Sequence, residues 1–581
     1  MKFGELAKYL EKLEKTSSRI KITEILSEVF KKAKAEEIDK ITYLLLGQLA
    51  PSYEGLVFNI AERMMLQIIA KAFSVDIQEV KKIYKKKGDL GRVAFACAKN
   101  KKSKSKSQNL SVVDVYEELK LIAEEEGEGS QERKIEGMAK LLANLDSLSV
   151  RYVGRMPIGR LRLGFSDKTI IDALSWMVKG DKTARDDLEK AYFVLPDIGL
   201  LAKSVKKFGV IKALRNIKPV IGVPVLPMLA QRLKSPAEMV EKMQEVGVEP
   251  KFDGLRIQIH YKKSGFGKEG KNVRAFTRNL NDTGWMFPEL KGIKKYIHAD
   301  EAILDCEAVG VDEKRRVLAN FQKTMTRRRK HEIEKIASKI PIRFYVFDIL
   351  LKNEKSMMNK KYVERREVLD KTVKKSKVLE VVDSKITQDP KVIEKMMKME
   401  IKEGLEGIIV KRAGSRYVPG RCGWRWVKMK EEESAKAKLA DTLDCIVMGY
   451  SVGRGKRAEF GIGQFLVGML DPLDDEKIKS LTKVGTGLTD DQFRELKKRL
   501  VKLEVSNKPK EYKVDKDLKP DFWVRPSLVV EVAADEITKS PKHTAGYALR
   551  FPRLVKFRDD KSVSQATTVS EIKKLFKLQK S

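Results

Sequence analysis

A chain of 581 residues carrying 119 Lys and Arg against 82 Asp and Glu has a formal charge of +37. That balance points to a polyanionic partner, nucleic acid first. Abundant Lys and Glu also mark heat-adapted proteins, but heat adaptation alone does not require so lopsided a balance. The length provides for about three to four domains. The four cysteines, Cys97, Cys306, Cys422 and Cys445, form no C-x-x-C pair. This argues against a zinc site and for a reduced setting, cytoplasmic or nucleoid-associated. No apolar run approaches a membrane span. The opening MKFGELAKYLEKLEK places Leu6, Leu10 and Leu13 on one helical stripe, so it reads as an amphipathic helix and not a signal peptide.

From the start to residue 216 the text is helical. Apolar residues recur three and four apart in ITEILSEVFKKA, LVFNIAERMMLQIIAKAF, DVYEELKLIAEE and KIEGMAKLLANL. The stretch KKSKSKSQN (101–109) is an exposed basic connector. Two turn-rich pieces, KKGDLGRVA (86–94) and RYVGRMPIGRLRLGFSD (151–167), alternate Gly with Arg. Glycine lets the backbone come close, and Arg92, Arg155, Arg160 and Arg162 offer forked donors to phosphate. A basic loop in a helical domain also serves solubility alone.

Pro219, Pro224 and Pro227 punctuate VIGVPVLPMLAQRL, which reads as a linker. From 217 to 434, strands rich in β-branched residues alternate with helices, an α/β pattern. Its central stretch is EPKFDGLR (249–256), followed by alternating Ile257 to Tyr261. Period two puts Arg256, Gln258 and His260 on one face and Ile257 and Ile259 on the other. Lys251 would sit on a bend that Gly254 permits. Partial desolvation and crowding by cations there would make its amine a better nucleophile. The same four residues also describe a surface lysine in a turn.

In DCEAVG (305–310), Asp305 and Glu307 share a face. They are a solvent-facing pair unless a phosphate pocket and Mg²⁺ meet them. FYVFDIL (344–350) is an apolar strand interrupted by Asp348. In EGIIVK (406–411), strict alternation puts Glu406 and Lys411 on opposite faces, so both reach one pocket only if a bulge or a strand start falls at Gly407. In WVKMK (426–430), Lys428 and Lys430 project together, opposite Val427 and Met429, as a cationic floor for an α-phosphate. From 435 to 581, short strands separated by Gly, Pro and Asp accompany one amphipathic helix, LTDDQFRELKKRL. The segment ALRFPRLVKFRDDK (548–561) packs five cations into a short tail.

The order of these blocks, with TRN (277–279) among them, resembles the covalent nucleotidyltransferases. It is most similar to the ATP-dependent DNA ligases of the archaeal and eukaryotic replicative type, over nearly the whole chain. The resemblance implies a multidomain α+β protein. An all-α DNA-binding domain (1–216) would precede an α/β adenylyltransferase domain of the ATP-grasp-like nucleotidyltransferase kind (217–434) and a C-terminal OB-fold β-barrel (435–581). It implies ATP as substrate and Mg²⁺ or Mn²⁺ as metal. Lys251 would become lysyl-AMP, with Lys428 and Lys430 beside it. Glu307 and Glu406 would hold the metal. Phe347 would stack on adenine and Glu249 accept from its amino group. Arg256, Arg278, Lys411 and Arg421 would complete the nucleotide site, and Arg550, Arg553, Arg558 and Lys561 would orient the leaving pyrophosphate. Nicked duplex DNA is the implied partner, a sliding clamp a candidate second one, and the chain a monomer.

One departure stands out. The family's basic residue four before the tryptophan of WVKMK is Cys422 here, next to Arg421. The rival readings are an RNA ligase or capping guanylyltransferase, an NAD-dependent ligase and a nucleic-acid scaffold with a dead pocket. GDLG and GRLRLG argue against the first. The missing cysteine finger argues against the second, and the intact Lys251, Glu307, Glu406, Lys428 and Lys430 against the third.

Overall fold

The computed structural model describes all residues except 101–108, 160, 162, 216, 234, 268–269, 313–316, 319–340, 431–441, 454–459, 487 and 580–581. Arg160 and Arg162 therefore lie outside the described residues. The chain divides into two units, Met1–Met429 and Lys430–Ser581.

The first unit begins with helices that run from Phe3–Glu14 to Ile198–Leu214 and bury one continuous apolar core. Their starts follow the side-chain chemistry. Asp89, for example, accepts from the Arg92 N–H at 2.8 Å and so caps the helix Leu90–Lys99. A Cβ on Gly91 would stand 2.2 Å from the Arg151 carbonyl oxygen, so only glycine lets this helix lie against Ser147–Val153. The expected phosphate donor Arg155 is a correction. It is buried, and its fork is used inside the protein: Nε donates to Asp89 at 3.0 Å and Nη1 to Glu14 at 3.0 Å. Arg155 thus fastens the two glycine loops to each other. Arg92 is exposed.

Among the described residues, the rest of this unit holds two larger sheets, beside the parallel pairing of Met228–Leu229 with Gly420–Arg421. One runs Leu379–Val381, Ile342–Lys352, Glu301–Asp312, Leu255–Phe266, Lys271–Thr277 in spatial order. The other runs Lys385–Thr387, Val246–Lys251, Gly407–Arg412, Trp426–Lys430, Gln231–Arg232. Each has its own apolar core. The alternation after Arg256 holds: Ile257 and Ile259 face the core, while Gln258 and His260 are buried on the other face by the linker. The Gly222 N–H donates to His260 Nδ1 at 2.9 Å, and the Val225 N–H donates to Gln258 Oε1 at 2.7 Å. That fixes His260 as the Nε2–H tautomer, donating to Gln258 Oε1 at 2.9 Å.

Burial, with Arg274 nearby, pushes the His260 pKa down to about 3. The folded value lies below the unfolded one, so the stability it confers is complete above about pH 6.5 and is lost as pH falls toward 3. We expect this clamp to lose roughly 1.4 kcal/mol per pH unit in that window. Melting temperature measured from pH 7 to 5 should fall, and His260→Asn should flatten the slope. An unchanged slope would remove His260 as its source.

Among the described residues, the second unit holds an eight-stranded sheet around an apolar core and a separate pair, Glu536–Lys539 with Tyr547–Arg550, with helix Asp490–Val501 started by a Thr489 capping box. A second helix, Val569–Leu578, was not expected from the sequence. Among the described residues, no helix is long and apolar enough to cross a membrane.

Candidate active site

Lys251 ends the strand Val246–Lys251 and precedes the turn into Leu255–Phe266. The role expected for Gly254 is a correction. Its φ is not positive; instead a Cβ there would stand 2.6 Å from the Ala308 carbonyl oxygen and 2.9 Å from Glu307 Cγ. Glycine is needed for close packing of the bend onto the Glu307 strand. Phe252, in the same turn, stacks on Tyr345 at 4.0 Å.

The amine of Lys251 donates to Glu406 Oε2. Crowding by cations, expected from the sequence, is therefore replaced by contact with a carboxylate. Gly407–Arg412 begins at Gly407, whose φ is +137°, so Glu406 lies before the strand and escapes its alternation. That strand start is the condition under which Glu406 and Lys411 both face the site. The register pairs Gly407 with Lys251 and Ile409 with Glu249.

Lys411 is fully buried. It donates to Glu249 Oε2 at 2.6 Å and to the Phe347 carbonyl at 2.9 Å, and lies 4.5 Å from the Trp426 ring centroid. Burial lowers its pKa, against the pull of Glu249. The other oxygen of Glu249 accepts from the Tyr362 hydroxyl at 2.5 Å. A Cβ on Gly247 would stand 2.5 Å from the Tyr362 ring, so this glycine lets that tyrosine reach the glutamate.

Asp305 and Glu307 face Arg256 and Gln258, as alternation requires, but Asp305 is buried and not solvent-facing. It grips Arg256 through Nε at 3.0 Å and Nη2 at 2.6 Å, while Nη1 donates to the Met228 carbonyl at 2.7 Å. Burial pushes the Glu307 carboxyl up to about 8, although Arg256 and Lys251 oppose the shift. A half-buried carboxyl of this kind, open to the cleft, is suited to a cation.

A cleft of about 400 Å³ lies among these side chains, with Glu406, Asp305 and Tyr362 outside its lining. Glu249, Lys251, Arg256, Arg278, Glu307, Phe347, Lys411 and Lys428 from the sequence reading all border it. Lys430 ends the strand Trp426–Lys430. Ile409, Val382 and Trp426 also border the cleft and were not anticipated as site residues, nor was Tyr362 behind Glu249. The Trp426 ring meets Phe347 edge-on, 6.0 Å between centroids. A tryptophan opening a basic strand was the available signal for it; nothing local marks Tyr362.

Arg421 is exposed and not among the residues lining the cleft. Cys422 is buried and donates to the Leu229 carbonyl at 3.3 Å. In the second unit, Arg553 pairs with Asp535 at 2.8 Å, Arg558 with Asp444 at 2.9 Å, and Lys561 with Asp444 at 2.6 Å. Arg550 lies 3.6 Å from Glu536.

Three family models match the chain in order: "DNA ligase N terminus" over 2–175, "ATP dependent DNA ligase domain" over 227–430 and "ATP dependent DNA ligase C terminal region" over 458–561. The chain belongs to the ATP-dependent DNA ligase family. It is 39% identical to a probable DNA ligase of Dictyoglomus turgidum over 589 residues, covering 100% of this chain and 98% of the relative. To the DNA ligase of Sulfurisphaera tokodaii it is 36% identical over 603 residues, covering 100% and 98%. The solved structure of Pmar-Lig_Pre shares the fold, with a TM-score of 0.52 at 18% identity, covering 95% of this chain and 99% of that one. The ligase uses ATP to seal nicks in DNA, which is the reaction of its family.

Proposed function

We propose that the ligase works as three domains, 1–216 binding DNA, 217–434 carrying the adenylation chemistry and 435–581 folding as an OB-type barrel. The observation that carries the chemical reading is the Lys251 amine held by Glu406 at a cleft lined by Lys428, Lys411, Glu307 and the rings of Phe252, Phe347 and Trp426.

In the first step, Lys251 Nζ forms a bond to the α-phosphorus of ATP, the bond to pyrophosphate breaks and the amine loses a proton, leaving lysyl-AMP. Glu406 is the carboxylate in contact with that amine and orients it. Lys428, with Lys430 along the same face, supplies fixed positive charge toward the phosphate. Phe347 offers an aromatic face to the base. Glu249, held by Lys411 and Tyr362, has acceptor capacity left for an amino group. Arg256 is locked by Asp305 and, with Arg278, borders the sugar and phosphate positions.

In the second step AMP passes to the 5′-phosphate at the nick. In the third the 3′-hydroxyl attacks that phosphorus and AMP leaves. Splitting one condensation into transfers with good leaving groups is what the covalent intermediate achieves.

Glu307, bordering the cleft, and Glu406, on the Lys251 amine, present hard oxygen donors, a donor set that fits Mg²⁺ or Mn²⁺. Such an ion would neutralise charge on the reacting phosphate. Arg421 is proposed to stand in for the phosphate contact absent at Cys422. The ligase is read as a monomer acting in the cytoplasm or on the nucleoid, with a sliding clamp as a candidate partner.

The test is a chase. Protein labelled with α-labelled ATP and Mg²⁺ should transfer its label to the 5′ end of added nicked DNA and then release AMP. Label from GTP in place of ATP, or transfer to RNA ends in place of DNA, would favour the RNA ligase or capping readings.

A prediction concerns residues before the linker. The Gly222 and Val225 N–H bonds to the Leu255–Phe266 strand mean that a protein beginning at Pro219 keeps this clamp. Such a protein should still form lysyl-AMP but bind nicked duplex at least ~100-fold more weakly, with a shallower salt dependence because fewer phosphates are neutralised. Filter binding across a salt series measures both. Unchanged nick affinity would refute the assignment of DNA binding to 1–216.

A further inference from the structure

Arg558 and Lys561 meet carboxylates of their own unit. Asp444, in the strand Leu443–Ser451, stands directly opposite Glu531 of Val529–Ala533. Two acids facing each other across an antiparallel pair repel. Arg558 offsets them: its Nη1 lies 2.9 Å from Asp444 Oδ1 and 3.6 Å from Glu531 Oε2. Lys561 Nζ lies 2.6 Å from Asp444 Oδ2. The other edge of Arg558 grips Asp560, Nε at 2.8 Å and Nη2 at 2.7 Å.

Three of these groups are largely withdrawn from water, with side-chain exposures of 15% for Arg558, 14% for Asp444 and 13% for Glu531, whereas Asp560 is exposed. Asp444 is itself fixed in place. Its N–H donates to Thr567 Oγ1 at 3.0 Å, and its carbonyl accepts from the Thr567 N–H at 2.9 Å. One carboxylate therefore holds two of the four cations assigned to the pyrophosphate.

We propose that Asp444 is a latch that competes with the polyphosphate tail of ATP for Arg558 and Lys561. The proposal rests on the reading above, that the 550–561 block serves the leaving pyrophosphate. A pyrophosphate offers more charge and more acceptor oxygens than one carboxylate, so it can win this exchange. A donor pointed at Asp444 is not available to the phosphate, and the exchange leaves Asp444 facing Glu531 without Arg558 between them. The energy of that vacated acid pair sets how readily the block engages ATP. No bond is made or broken; only ion pairs are exchanged.

Asp444→Asn keeps the shape of the side chain and removes the charge, so it should release Lys561 and loosen Arg558, which Asp560 still grips. Single-turnover lysyl-AMP formation at subsaturating ATP should rise, on the order of threefold to tenfold, the range of one ordinary hydrogen bond, since Asp560 still holds the other edge of Arg558. Inhibition by inorganic pyrophosphate should strengthen by a similar factor. Sealing of a nick that already carries 5′-AMP should not change, because no pyrophosphate takes part.

Glu531→Gln removes the opposing acid, touches only Arg558 of the two cations, and should give a smaller rise of the same sign. It also carries the test if Asp444→Asn does not fold. Slower or unchanged adenylation in the folded variants, without tighter pyrophosphate inhibition, would overturn the latch and leave Asp444 a structural anchor. Absence of lysyl-AMP in the unsubstituted protein would instead overturn the ligase mechanism beneath it.

Discussion

Lys251→Ala is expected to abolish the lysyl-AMP adduct completely, and Lys251→Arg to do the same. The alanine removes the attacking nitrogen. The arginine keeps a cation beside Glu406, but a guanidinium stays protonated near neutral pH and is no nucleophile. The geometry makes the comparison clean. Lys251 is at a strand end with its side chain only partly buried, and its partner Glu406 is about one fifth exposed. Lys251→Arg, which keeps a cation beside Glu406, controls for any effect of the lost pair on the fold. Both variants should still bind nicked duplex and seal a nick that already carries 5′-AMP, since the amine is spent before that step. The measurement is α-label retained on denatured protein, beside sealing of the pre-adenylated nick. Label persisting on the alanine variant would move the nucleophile elsewhere.

The positions in the cleft were legible because they lie in short local patterns. Alternation after Arg256 needs only neighbours in sequence, and it places Ile257 and Ile259 in the core as expected. Alternation also framed the right question at Gly407, where the strand start lets Glu406 reach the Lys251 amine while Lys411 borders the cleft. The glycines were half legible. Gly254 was read as a bend, whereas its space is filled by the Glu307 strand, and Gly247 carries no local mark of the Tyr362 ring that needs it.

Partners distant in sequence were the illegible part. Arg155 sits in a loop that looks like a phosphate contact, yet Glu14 and Asp89, brought by other helices, claim its fork. Lys251 was expected among cations and meets Glu406, which is 155 residues away. A motif tells which chemical groups are present; which ion pairs they make is decided by tertiary packing. The charge balance spoke for nucleic acid but could not say which cations are free, and those of the C-terminal block are paired inside their own unit.

That pairing sharpens the expected behaviour of Arg553→Ala combined with Lys561→Ala. The two cations sit on Asp535 and Asp444. Removing them leaves those acids without these partners, but at exposures of 44% for Arg553 and 30% for Lys561 the loss of pairing is softened by water. A general loss of structure would slow every step alike. A role on the leaving group would not. Pyrophosphate departs only in the first step, so donors aimed at it stabilise that transition state and have nothing to act on when the 3′-hydroxyl attacks an adenylated nick. The double variant should form lysyl-AMP on the order of 100-fold more slowly, the scale of a lost transition-state donor. It should seal a pre-adenylated nick at close to the normal rate. Single-turnover kinetics on ATP and on the pre-adenylated nick measure the two rates separately. Equal losses on both substrates would assign the block to DNA engagement in general, and with it would fall the competition at Asp444.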